Sequence, residues 1–175
     1  MASDKLAASS PEGHIDLRGL RGRYQLANAA LQAHDIAFEM LGGKVTSEVD
    51  VQHLDTTPVV HIRTALKGIS VQAAQETVRE SEIRRVDLLG RIDGTVEASW
   101  TGSINNVRAR TDLNLTAPTN SATARSSTAI PVSGDIHATY DRSGNIISLA
   151  PSTLRIPSAV VAAEKTLPEA ERRRK

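Results

Sequence analysis

From residue 41 to residue 68 the chain reads LGGKVTSEVDVQHLDTTPVVHIRTALKG, with an apolar residue at nearly every second position on both sides of a short polar turn. Val45, Ser47, Val49 and Val51 fall on one side, against Thr46, Glu48, Asp50 and Gln52 on the other. After HLDTTP, Val60, Ile62, Thr64 and Leu66 alternate with His61, Arg63 and Lys67. Successive side chains of a strand point to opposite faces, so a period of two specifies strands with one apolar and one solvated face. Fully buried parallel strands read instead as continuous apolar runs, so the pattern points to antiparallel hairpins.

The same period recurs along most of the chain. Ile15 and Leu17, then Leu20, Gly22, Tyr24 and Leu26, alternate with Asp16, Arg18, Arg21, Arg23 and Gln25. Ala29 and Leu31, then Ile36, Phe38 and Met40, continue it with a phase slip at His34 and Asp35, and Gly42 and Gly43 punctuate it as glycine pairs do at turns or bulges. Ile92, Gly94, Val96, Ala98 and Trp100 oppose Arg91, Asp93, Thr95, Glu97 and Ser99; after GSINN, Val107, Ala109, Thr111, Leu113 and Leu115 oppose Arg108, Arg110, Asp112 and Asn114. Two matched strands around a short polar turn make a hairpin. Val132, Gly134, Ile136, Ala138 and Tyr140 lead into an RSGN turn, with Ile147 and Leu149, then Leu154 and Ile156, beyond it.

One interruption has helical spacing. In SVQAAQETVRESE, Val71, Ala74 and Val78 recur at i, i+3 and i+7, and Ser70 is placed to cap the N-terminus. The expected fold is therefore mainly β: a long antiparallel, curved, amphipathic sheet forming a half-open groove, with nine to eleven strands and one short helix near residues 70–80. The expected organisation is a flexible leader over 1–12, a sheet segment with the helix over 13–117, a Ser/Thr-rich loop over 118–130, further strands of the same sheet over 131–163, and a charged tail over 164–175.

Composition narrows the function classes. Aromatic residues are 2% of the chain while hydrophobic residues are 39%, so the apolar face is built from Val, Ile, Leu and Ala. Twenty-one basic and 20 acidic residues leave a formal charge of +1, which offers no electrostatic footprint for nucleic acid. With no cysteine there is no disulfide framework and no thiolate site. The five histidines, His14, His34, His53, His61 and His137, do not recur at metal-site spacings, and no nucleophile elbow or phosphate-cradling glycine loop occurs. His53 and His61 flank the LDTTP turn and read as a surface pair. No catalytic residue, metal or cofactor is expected, and the chain reads as a non-enzyme. It contains no apolar run long enough to cross a bilayer as a helix, and an exported parent protein would carry its targeting segment outside these residues.

The string MLGGKVTSEVDVQHLDTTPVVHIRTALKGISVQAA, a spacer, and then LLGRIDGTVEASWTGSINNVRARTDLNLTAP resembles the AsmA/TamB superfamily of Gram-negative envelope proteins. The shared features are a Gly-Gly turn into an alternating strand, a return strand, a step into a short helix, and a glycine-bearing strand pair. IPVSGDIHATYDRSGNIISLAPSTLRIPSAVVAAE is similar to further repeats of the TamB type, so the resemblance spans about residues 13–164. It implies a taco-like β-groove whose aliphatic interior shields phospholipid acyl chains between inner and outer membranes, in a periplasmic segment of a protein anchored in the inner membrane. It also implies an outer-membrane barrel as a partner, reached through parts outside this chain. The anchor and the partner-contacting segment of the family have no counterpart in these residues, which places the chain as a segment of a longer conduit or a shortened relative. The expected lipid-facing residues are Val45, Val49, Val51, Val60, Ile62, Leu66, Ile92, Val96, Ala98, Trp100, Val107, Leu113, Leu115 and Ile136. Two other uses of such a sheet are a subunit that aids outer-membrane protein or autotransporter assembly by strand addition, and a closed β-sandwich scaffold.

Overall fold

The structure is a computed structural model and describes residues 2–10, 13–77, 87–118, 129–156 and 159–163, with side chains described from Leu17 to Ile156. Its centre is a run of long antiparallel strands: β2 (Gly13–Ala27), β3 (Ala30–Met40), β4 (Gly43–Gln52), β5 (Val59–Ser70), β7 (Arg91–Thr101), β8 (Arg108–Thr116) and β10 (Ser133–Asp141). They hydrogen-bond in that order, with β1 (Ala2–Ser10) beyond β2 and β12 (Ser152–Ile156) and β13 (Ala159–Ala163) beyond β10. The sheet is open rather than closed into a barrel.

The alternation sets the register, since a one-residue slip would turn every apolar side chain to the wrong face. Val45, Ser47, Val49 and Val51 stand opposite Leu66, Thr64, Ile62 and Val60. Thr64, Ile62 and Val60 in turn stand opposite Val96, Ala98 and Trp100. The phase slip at His34 and Asp35 is a bulge between Ala33 and Ile36, with Asp35 at φ 54°. Gly42 and Leu41 form the two-residue turn into β4, both at positive φ, as the right-handed twist of a tight hairpin requires. Asn28 and Ala29 form a second such turn, so Ala29, expected to continue the alternating pattern, lies between strands.

The helix α1 (Val71–Thr77) begins as expected: the backbone N–H of Ala73 donates to Ser70 Oγ at 3.2 Å. Val78 lies outside the described residues. Loss of this cap in Ser70→Ala is expected to cost about 1 kcal/mol, read as a lower chemical-denaturation midpoint with unchanged slope.

Three elements differ from expectation. Residues 2–10, read as a leader, form β1 and pair with β2 from Ala2 opposite Arg21 to Ser10 opposite Gly13. The edge of β2 presents a row of backbone donors and acceptors, which a chain of small residues can satisfy without any apolar alternation. Second, β6 (Leu88–Leu89) and β9 (Ile130–Pro131) form a separate parallel pair, the exception to the antiparallel rule. Third, β11 (Ile146–Leu149) and β12 share one edge of β10, β11 against residues 138–141 and β12 against 133–135. They follow one line along that edge, broken at Ala150 and Pro151, where proline cannot donate to the ladder, and β13 continues the sheet beyond β12 alone. Most of the expected Ser/Thr-rich loop, residues 119–128, and the expected charged tail, residues 164–175, lie outside the described residues.

The packed core sits at one end of the strands. Val71 of α1, Leu115 and Val132 are buried together, with Leu88, Ile92, Leu113, Ile136, Leu154 and Ile156 against them. The helix and the short parallel pair thus cover the apolar face at that end of the sheet.

Candidate functional site

Cross-strand pairing lines up the apolar face in transverse rows. One row runs Tyr24, Ala33, Val49, Ile62, Ala98, Ala109 and Tyr140, through β2, β3, β4, β5, β7, β8 and β10. At about 4.8 Å per strand spacing the row is roughly 29 Å long. Its five inner members are small or aliphatic and half-buried. The chain's two tyrosines stand at its ends, Tyr24 being 67% exposed. The row on one side is Leu26, Leu31, Val51, Val60 and Trp100. On the other side Ile36, Ser47, Thr64, Val96, Thr111 and Ala138 follow, then Phe38, Val45, Leu66, Gly94, Leu113 and Ile136.

The polar members of this face are internally satisfied. Ser47 Oγ and Thr64 Oγ1 lie 2.9 Å apart, and Thr111 Oγ1 donates to the Thr95 carbonyl at 3.3 Å. Hydroxyls paired this way can sit within an apolar surface, because an unpaired one would lose its hydration without compensation.

The expected lipid-facing residues divide into two groups. Ile92, Leu113, Leu115 and Ile136 belong to the core with Val71 and Val132, and Val45 is 2% exposed. They face protein rather than an open groove, because α1 and the β6–β9 pair lie over that end. Val51 and Val60 are also buried, at 9% and 7% exposure. Val49, Ile62, Leu66, Val96, Ala98, Trp100 and Val107 remain half-exposed, and these form the accessible part of the face. Alternation assigns a residue to a face; what covers that face is decided by other segments.

The opposite face is charged and ordered by the same register. Glu48, Arg63, Glu97 and Arg110 form one row of alternating sign. Arg63 Nε donates to Glu97 Oε1 at 2.9 Å and Arg108 Nε to Asp141 Oδ2 at 3.1 Å. An open hollow of about 780 Å³ is bordered by Glu48, Asp50, Arg63, Glu97, Arg108 and Asp141, and also by Val49, Ile62, Ala98, Ala109 and Tyr140 of the apolar row. His61 stands opposite Asp50, while His53 occupies the turn at φ 58°, so the two histidines are not cross-strand partners. Among the described residues no group of three or more metal-ligating side chains occurs.

Asp112 and His137 are cross-strand neighbours that sequence spacing does not reveal, with His137 Nδ1 2.7 Å from Asp112 Oδ1. The hydrogen bond from His137, then that from Arg110, holds the Asp112 carboxyl below its usual range. Asp141 is lowered chiefly by the Ser143 hydroxyl. A carboxylate with a depressed folded pKa stabilises the fold above its unfolded value of 3.8 and loses that contribution as pH falls through the folded value. His137→Ala is therefore expected to raise the Asp112 titration midpoint, measured by carboxyl-carbon NMR; an unmoved midpoint would contradict the role given to His137.

No protein-family profile, curated protein or solved structure matches the chain. No helix among the described residues is long and apolar enough to cross a membrane.

Proposed function

We propose that the open part of the apolar face holds phospholipid acyl chains, and that this chain is a segment of a periplasmic conduit carrying lipid from inner to outer membrane. The observation that carries the reading is the half-exposed row from Tyr24 to Tyr140, with Ala33, Val49, Ile62, Ala98 and Ala109 between. Acyl chains need desolvation and no directional bonds, and each buried methylene is worth about 0.8 kcal/mol. A row of roughly 29 Å exceeds the depth of one leaflet, about half of a 30 Å hydrocarbon core, so a whole chain can lie along it. Tyrosine combines an apolar ring with a polar hydroxyl, which suits the two ends of such a row. The resemblance of residues 13–164 to the AsmA/TamB superfamily supports the same use. Organic extraction of the purified protein followed by mass spectrometry tests it: bound phospholipid is expected, and a lipid-free extract from gently purified protein would contradict it.

A second reading, strand addition to a client protein, draws on β11. Ile146, Ile147 and Leu149 are 54%, 66% and 42% exposed, and β10 is the one sheet partner of β11 among the described residues. An apolar edge without charge invites a further strand. Under that reading Ile147→Lys would abolish client binding and leave lipid content unchanged.

A further inference from the structure

We propose that the strand ends around the turn at Gly42 and Gly43 form a basic docking surface for the phosphate groups of an anionic lipid bilayer. Arg18 of β2, Lys44 of β4, Lys67 of β5 and Arg91 of β7 border one open hollow of about 630 Å³. Glu39 is the carboxylate on its lining, and Asp93 lies nearby with Oδ1 accepting the Gly68 N–H at 2.9 Å. The corner therefore keeps an excess of two positive charges with both acids counted, in a chain whose total is +1. The cluster has no counterpart in the linear sequence, because its four cations come from four strands.

Its internal arrangement departs from the rest of the charged face. Elsewhere cross-strand neighbours alternate in sign, as in Glu48, Arg63 and Glu97. Lys44, however, stands between Glu39 on one side and Lys67 on the other, and among the described residues neither ammonium is in an ion pair. Like charges in direct cross-strand register destabilise a sheet. Glu39 opposite Lys44 offsets this in part, but among the described residues Lys67 has no carboxylate in cross-strand register, which points to a use outside folding. Arg91 holds the corner in shape: its Nη1 donates to Gly68 O at 2.8 Å and Gly42 O at 3.2 Å.

The chemistry favours a bilayer over a single bound anion. All four cations are exposed, and no buried donor converges on one point. Long, hydrated side chains over a shallow hollow suit a surface bearing many phosphates, where attraction grows with the number of cations near it and fades as salt screens it. This surface lies on the charged face, so the proposal does not depend on the acyl-chain reading; vesicle binding and co-purified lipid can fail separately.

The test is co-sedimentation of the full chain with phosphatidylcholine vesicles and with mixed phosphatidylcholine/phosphatidylglycerol vesicles. Binding is expected to the mixed vesicles alone and to weaken as salt rises. Lys67→Glu converts the like-charge pair into an opposite-charge pair, so its thermal midpoint should hold or rise while vesicle binding falls by about tenfold or more. Undiminished binding by the Lys44→Glu/Lys67→Glu double variant would overturn the proposal, as would equal binding to pure phosphatidylcholine. Displacement by millimolar inorganic phosphate would reveal a small-anion site instead, and preference for a single-stranded RNA over mixed vesicles would reveal a nucleic-acid surface; either result rejects the bilayer as partner.

Discussion

Gly94→Ala is expected to destabilise the protein by about 3 kcal/mol, or to prevent folding altogether. Gly94 lies in β7 between Leu66 and Leu113, where β7 and β8 approach closely. A Cβ there would overlap the Asp112 carbonyl oxygen and sit 2.8 Å from Leu113 Cα, and its φ of 155° is one that side-chain-bearing residues rarely adopt. Both obstacles are backbone, so relief requires the two strands to part. Gly19→Ala is the matched comparison: its φ of 61° carries a conformational cost of about 1 kcal/mol, but nothing lies within 4 Å of the added carbon. Thermal unfolding of the two variants side by side separates strand contact from φ alone. Equal midpoints would show that the close approach of β7 and β8 does not govern stability.

Ile62→Glu is expected to lower co-purified phospholipid by about tenfold or more, since a charge at the centre of a hydrocarbon layer costs roughly 2.5–3.5 kcal/mol. Ile62 sits mid-row between Val49 and Ala98 and is half-exposed, so the new carboxylate retains access to water in the lipid-free protein. The fold should therefore tolerate the change better than lipid does. Thr46→Glu adds the same charge to the opposite, exposed face and should leave lipid content unaltered. Lipid per protein, quantified by mass spectrometry and compared at matched far-ultraviolet circular dichroism, gives the answer. Equal loss in both variants would assign the effect to net charge rather than to the apolar row.

The central strands were legible because alternation, turn residues and register reinforce one another. Once Val45, Val49 and Val51 share a face, their pairing with Leu66, Ile62 and Val60 is the register that keeps both sets together. Even the slip at His34 and Asp35 marked a real bulge. Other features were hidden for physical reasons. The strand β1 forms by completing a neighbour's hydrogen bonds, which leaves no hydrophobic period to read. Two-residue strands such as β6 and β9 are too short to show any period. The partition of the apolar face into a covered end at Leu115 and an open middle at Ile62 depends on where Val71 and Val132 fold back. Neither Asp112 with His137 nor the basic corner is local in sequence; each exists only when distant strands are in register.

The most direct test of acyl-chain binding is site-specific photocrosslinking in cells, with a photoreactive residue at position 62 on the apolar face and, for comparison, at position 46 on the charged face. Phospholipid adducts at position 62 and none at position 46 are the expected result. No lipid adduct at position 62, or equal yields at both positions, would contradict a lipid-bearing apolar face.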